Sequence, residues 1–400
     1  MNIVDIRNFY VEHKIKPVQF FCEEEPVAKE QDYIYYTEEK EIDGISCYFL
    51  MEYDIRTGEE KILYAESLGK GEIFADTIRN QERVWITLWS KEKGLTQRCL
   101  TLKTGEEVSC RALASVGRMT DILMLTPEYF LGYFEADEED EELFAQYEQI
   151  SGGKRAVFLY APKENAQYLV QDPLLVRLSP EKIHCYIHEG QLTLLLCDSN
   201  MNEEQKRYLY QEQRSMWLGK AEANDSILKV PVSQLVYDIS NGVRRLTTEM
   251  IFNVSIDGYI HYVGMDEEFI YYFTNFFPAD VEKLCACSKK DGTVSVLQQY
   301  DRRHRPENVS YRFDDSRKGY RITKHPESYT LEGVWNTAVV AEYPKKLGDF
   351  VTTLEDRYLI TLFCQPGEEP MYFVHDIETG KVQSVMGQIC IINDVLIFYR

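Results

Sequence analysis

One short pattern recurs along this 400-residue chain: an apolar or aromatic run, then Asp-x-x-Thr-Gly or a close variant, then a second run. It stands as Tyr53-Asp54-Ile55-Arg56-Thr57-Gly58, as Thr101-Leu102-Lys103-Thr104-Gly105, as Tyr237-Asp238-Ile239-Ser240-Asn241-Gly242 and as His375-Asp376-Ile377-Glu378-Thr379-Gly380. A looser copy is Ser288-Lys289-Lys290-Asp291-Gly292. Each copy predicts a hairpin. An Asp side chain can accept from the amides ahead of it, and Gly takes the positive φ that a tight reversal requires. A turn repeated at a near-constant interval implies stacked copies of one small sheet, which constrains architecture far more than chemistry.

Seven segments share a polar start and an aromatic-rich apolar body: residues 32–37, 82–89, 128–135, 181–188, 267–274, 356–363 and 394–400. Their starts lie 50, 46, 53, 86, 89 and 38 residues apart, and the two long intervals each leave room for a degenerate copy. The turn glycines repeat at 47 residues (Gly58 to Gly105) and 50 (Gly242 to Gly292). A unit of this size suits a four-stranded blade. On these turns and strands the chain resembles β-propeller repeat proteins in general over most of residues 17–400. The WD dipeptide is absent, and no single family is indicated. The resemblance implies an all-β fold of seven blades, with eight as the alternative, each a four-stranded antiparallel sheet. The apolar run 395–399 needs a partner strand, so the N- and C-terminal strands are expected to close the ring. Residues 1–16, with Ile3, Ile6 and Tyr10 at helical spacing, read as a short amphipathic segment. Residues 17–400 read as one domain with insertions at 136–153 and 200–217.

Composition narrows the function classes. Tyr (28) and Phe (19) favour strands, since aromatics suit a pleated, half-buried surface. A net charge of −22 argues against nucleic acid, which is bound mainly through Lys and Arg, and equally against anionic membranes. That acidity keeps a Tyr-rich surface in solution. The first residues lack the continuous apolar core of a secretory leader, and the apolar run 192–197 falls far short of a membrane span. Ten cysteines include no CxxC pair. They are expected as reduced thiols in the cytoplasm, with Cys285 and Cys287 on one strand face.

Local chemistry is sparse. His184 and His188 have the i, i+4 spacing of a helical zinc site, but they alternate with Ile183, Cys185 and Ile187 as in a strand. That would hold them roughly 13 Å apart, too far to share a metal, so no metal is expected. The basic stretch 301–326 offers Arg302, Arg303 and Arg305 as donors to an anionic ligand or acidic partner, or to the chain's own carboxylates. The acidic run 137–142 reads as a solvated loop without the spacing of a calcium loop. The insertion 200–217 reads as helical, with Tyr208 and Trp217 as candidate contact residues. Trp85, Trp89, Trp217 and Trp335 could stack on sugar rings or pack between sheets. No nucleophile elbow, phosphate-binding glycine loop or HExxH is present, catalytic residues are not legible, and no cofactor is expected. The chain therefore reads as a non-catalytic module for an unidentified protein or peptide, with no nucleic acid or membrane partner and with its oligomeric state open. The alternative is a carbohydrate-directed hydrolase or lyase, or a small-ligand binder, using a central channel. Such a site gathers residues from several blades and leaves no local motif.

Overall fold

A computed structural model describes residues 2–5, 14–20, 33–54, 56–80, 82–90, 92–113, 117–126, 128–136, 141–151, 153–198, 223–224, 226–253, 257–266, 268–276, 281–301, 308–313, 318–354, 357–365, 369–392 and 395–399. The fold is all-β, with seven sheets of four antiparallel strands. Residues 2–196, 230–248 and 389–400 form one compact unit, and residues 197–229 and 249–388 form another.

The first unit holds three complete sheets. They are Lys14–Pro17, Tyr33–Ile42, Ile45–Asp54 and Glu60–Ser67; then Glu72–Arg79, Arg83–Ser90, Gly94–Thr101 and Glu107–Leu113; then Arg118–Thr126, Tyr129–Glu135, Arg155–Ala161 and Ala166–Leu169. The strand Ile183–His188 pairs with residues 191–196 in the same unit. The second unit contains the antiparallel pairing of residues 226–229 with Glu249–Asn253 and three further sheets. Those are Asp257–Met265, Phe269–Phe276, Val281–Ser288 and Val294–Asp301; Val309–Phe313, Gly319–Lys324, Ser328–Gly333 and Val339–Pro344; and Asp349–Leu354, Tyr358–Phe363, Met371–Asp376 and Val382–Met386. Two short strands extend sheets in parallel, Gln19–Phe20 on Glu72–Arg79 and Ala223–Asn224 on Asp257–Met265.

All seven segments picked out by their apolar bodies are strands, and most take the second position of a sheet. Arg83–Ser90 shows why. Val84, Ile86 and Leu88 are buried on one face and Trp85 and Thr87 on the other, so its near-continuous apolar run suits a strand covered on both faces. Ile183–His188 is instead an edge strand that fully buries only Ile183 and Tyr186. Of the two long intervals, 267–356 conceals a whole sheet, with Gly319–Lys324 in second place. The interval 181–267 is stretched by a helix at Val232–Ser240 and by residues 199–222, which lie outside those described.

The expected terminal pairing is present. Asn2–Asp5 runs parallel to Val395–Tyr399, from Asn2 opposite Val395 to Asp5 opposite Phe398, and Gln388–Ile392 completes this three-stranded sheet. Residues 2–5 are therefore strand, which overrides the helical spacing of Ile3; Ile6 and Tyr10 lie outside the described residues. The acidic run also needs correction. Glu141 and Glu142 open the helix α1 (Glu141–Ser151), where carboxylates favour the positive end of the dipole. Residues 137–140 lie outside the described set.

The recurrent turn joins third to fourth strands. In five sheets the opening residue donates its amide to the carbonyl five residues on, and the amide four residues on donates back to it, at 2.7–3.0 Å. The openers are Asp54, Thr101, Ser288, Gly333 and Asp376. Asp54 Oδ1 accepts from the amides of Arg56 (2.8 Å) and Thr57 (3.2 Å), and Asp376 Oδ1 does the same for Glu378 and Thr379. The copy at Gly333 has no Asp-x-x-Thr-Gly, and Thr337 takes the left-handed conformation (φ 53°) that glycine holds elsewhere. The copy at Tyr237–Gly242 is a correction: it ends a helix. Val232, Leu235 and Ile239 bury one helical face, and Gly242 (φ 66°) donates to Ile239 O at 3.0 Å to close its C-terminus.

Outer strands share a second device. In five sheets a bulge in the fourth strand leaves one residue unpaired: Leu63, Val108, Ile251, Leu297 or Val340. Bulges twist an exposed edge away from further pairing. Buried tyrosines link one sheet to the next. Tyr48 Oη lies 3.1 Å from Thr77 Oγ1, and Tyr320 Oη lies 2.7 Å from Thr353 Oγ1.

The turn glycines differ in their surroundings. A Cβ on Gly380 meets open space, whereas one on Gly105 would overlap the carbonyl of the bulge residue Leu63. Gly380→Ala should cost about 1–2 kcal/mol from the left-handed backbone alone. Gly105→Ala should cost clearly more, and Thr337→Gly should stabilise by about 1 kcal/mol. Urea midpoints check all three, and equal losses for the two alanine variants would contradict the Leu63 contact.

Candidate functional site

Among the described residues, three helices depart from the strand repeat and meet at the third sheet of the first unit. They are α1, α2 (Pro173–Arg177) and α3 (Val232–Ser240), each contacting Arg155–Ala161. Tyr147 of α1 completes a buried cluster with Leu95, Phe130, Phe134, Ala156 and Tyr160. Gly132 keeps the cluster closed, because a Cβ there would overlap the Phe134 and Tyr160 rings.

Two buried aspartates set the geometry. Asp172 caps α2: its Oδ1 accepts from the amides of Leu174 (2.8 Å) and Leu175 (3.1 Å), with Pro173 at the first helical position. Its Oδ2 accepts from the amide of Leu246 at 2.7 Å. Asp238, on α3, accepts from Gln234 Nε2 at 2.7 Å through Oδ1 and from the amide of Thr247 at 2.7 Å through Oδ2. The two residues are 4% and 3% exposed, and they hold consecutive amides. The amide of Val243 also donates to Asp238 O at 3.0 Å, so residues 241–247 fold back along the end of α3.

This return segment is solvent-facing. Tyr237 is 63% exposed, and Arg244 and Arg245 are exposed. Positive charge is favoured beside a helix C-terminus. An exposed tyrosine ring offers an apolar contact, and guanidinium groups bind carboxylate or phosphate oxygens.

The candidates read from sequence fare differently. Arg302, Arg303, Arg305, Tyr208 and Trp217 all lie outside the described residues. The described part of the basic stretch forms two strands, Val309–Phe313 and Gly319–Lys324. There Arg321 pairs with Glu332 at 2.8 Å and Lys324 lies over the Tyr329 ring. Trp85 is buried and Trp89 packs on the Leu95–Tyr160 cluster, so both serve packing. Trp335 is 47% exposed, with its ring stacked on Phe269 at 4.4 Å. His184 and His188 sit on the strand Ile183–His188, and burial pushes the His184 imidazole down to about 4. Among the described residues no group of three His, Cys, Asp or Glu is placed to hold a metal ion. No described helix is long and apolar enough to cross a membrane.

Asp172, Tyr237, Asp238, Arg244 and Arg245 were not legible as a site. The one available signal was Asp172-Pro173, a helix-start pair. Asp238 was hidden inside a turn pattern.

No protein-family profile matches the chain, and no curated protein matches it. Among solved structures it is similar to an uncharacterized protein from Listeria monocytogenes, at 9% identity and a TM-score of 0.46, over 96% of this chain and 97% of that one. It is similar to an oligogalacturonate lyase solved with manganese, at 8% identity and a TM-score of 0.46, over 91% and 90%. It also spans half the length of a prolyl endopeptidase, at 9% identity and a TM-score of 0.49, over 94% of this chain. The fold class is that of the β-propeller repeat proteins, without assignment to a particular family.

Asp172→Ala removes a cap and leaves the buried Leu246 amide without its acceptor. The expected loss is about 3 kcal/mol in chemical denaturation. His184 supplies a pH signature. Its folded pKa is depressed below the unfolded value of about 6.5, so the unfolded chain takes up the proton first. Its contribution is complete above about pH 6.5 and is lost as pH falls toward about 4. His184→Gln should therefore remove about 2 kcal/mol of the stability lost between roughly pH 7 and pH 5. Parallel stability–pH curves for variant and wild type would contradict a buried neutral histidine.

Proposed function

We propose that this chain is a non-catalytic β-propeller binding module that engages a protein partner through Tyr237 and the return segment 241–247. One observation carries the reading: two buried carboxylates are committed to fixing a segment that itself faces solvent. Taking carboxylates out of water is costly unless they are well bonded. Holding a surface segment in one geometry lowers the ordering cost of association. Tyr and Arg are also the residue types that dominate binding energy at interfaces. A reducing compartment such as the cytoplasm accords with eight described cysteines, all free thiols.

A second reading, a carbohydrate-directed protein, is favoured by Trp335 alone. The third position of the recurrent turn is Arg56, Lys103, Lys290 or Glu378 in four copies, and in the fifth it is this indole, with Phe269 against it. Quenching of tryptophan fluorescence by oligosaccharides, lost in Trp335→Ala, would support that reading.

The leading proposal is tested by placing a photo-crosslinking phenylalanine analogue at position 237, and in a separate protein at the exposed Ile377. Position 237 should yield one discrete adduct in cells and position 377 none. Identical adduct patterns would remove Tyr237 from the interface. Tyr237→Ala should change folding stability by no more than about 0.5 kcal/mol, as an exposed substitution does.

A further inference from the structure

We infer that the surface around Tyr237 recognises an acidic segment of its partner, with Arg244 and Arg245 receiving carboxylates while the Tyr237 ring covers an apolar side chain. This rests on the reading of that surface as an interface and names the chemistry it would select.

The chain carries 66 Asp and Glu against 44 Lys and Arg, so an arginine on its surface readily finds a carboxylate. Several described arginines do. Arg98 joins Glu66 and Glu107, Arg118 joins Glu135, Arg321 joins Glu332, and Arg357 joins Asp376 and Glu378. Arg79 and Arg155 lie over the rings of Tyr35 and Tyr133. Arg244, Arg245 and Arg312 make no ion pair or hydrogen bond among the described residues. Only Arg244 and Arg245 are adjacent.

The two buried carboxylates that hold this segment are already engaged. Asp172 and Asp238 are buried, and their oxygens already accept from Leu174, Leu175, Leu246, Gln234 and Thr247. Turning either toward an arginine would release the amide that holds the segment. The segment that carries this pair of exposed arginines is thus held by the two aspartates, and guanidinium groups suit a bidentate acceptor. The occupant follows from charge. At −22 the whole molecule repels an extended polyanion such as nucleic acid or an anionic membrane. Repulsion is screened beyond about 8 Å at physiological salt, so a short acidic segment can reach the pair without meeting the rest of the charge.

The test uses the full chain and fluorescence anisotropy with a short peptide rich in glutamate and leucine, its glutamine counterpart, a phosphatidylserine vesicle and a short single-stranded DNA. The glutamate peptide should bind, with affinity falling as salt rises, and the glutamine peptide should not. Arg244→Ala with Arg245→Ala should weaken binding by about tenfold, and reversal of both to Glu should abolish it. Arg312→Ala should leave it unchanged, and urea midpoints confirm that each variant folds. Equal binding of both peptides, an unaffected double variant, or preference for vesicle or DNA would overturn the inference. If the adduct at position 237 persists while the arginine variants have no effect, the interface stands and its acidic selectivity fails. If that adduct is also absent, both fail.

Discussion

Everything in this fold depends on burying the two faces of sheets too small to survive alone. A four-stranded sheet of short strands has little apolar area, and each face must be covered by a neighbour. Aromatic side chains supply the reach. Tyr48 and Tyr320 are buried, and each bonds a threonine on the first strand of the following sheet. A tyrosine can therefore bury its ring in the gap and still satisfy its hydroxyl. Phe252 against Tyr272, at 4.7 Å between ring centroids, and Tyr271 against Phe313, at 5.0 Å, fill comparable gaps. A chain built this way needs many tyrosines, which is why this one has 28.

The same demand places the irregularities. Fourth strands have one covered side and one open edge, and five of them bulge. Third-to-fourth turns are tightly hydrogen-bonded because the outer strand has few other attachments. In the turn at Asp376, Arg357 grips both carboxylate oxygens and holds that carboxyl well below the usual range. The helices interrupt this regularity at one sheet, and there the polar interior changes character. Besides buried hydroxyls and the strand carboxylates Glu38 and Glu282, the interior includes two buried aspartates there that bind backbone amides. A non-repetitive segment leaves amides unpaired by any ladder, and a buried carboxylate can accept from them.

Legibility followed hydrogen-bond locality. Asp54, Gly58, Asp376 and Gly380 could be read because Asp-x-x-Thr-Gly closes on itself within five residues. The turn at Gly333 could not, since its backbone pairing is the same but Thr337 stands where glycine is expected. Tyr237–Gly242 misled for the complementary reason. Its local chemistry suits a turn, but Val232, Leu235 and Ile239 bury a helical face against the third sheet, and that burial outweighs a turn preference. The candidate site was harder still: Asp172 reaches Leu246 across 74 positions, a separation at which no sequence pattern operates.

The sequence alone determined the class of structure. Strand-length apolar runs, turn residues at a steady interval and abundant aromatics admit stacked antiparallel sheets and little else, since each is a short-range preference repeated many times. Tertiary structure alone decided which turn became a helix, which interval concealed a sheet and which carboxylates went inside. Those outcomes depend on competition for buried surface and on bonds between distant residues, and neither is encoded within any one window of the chain.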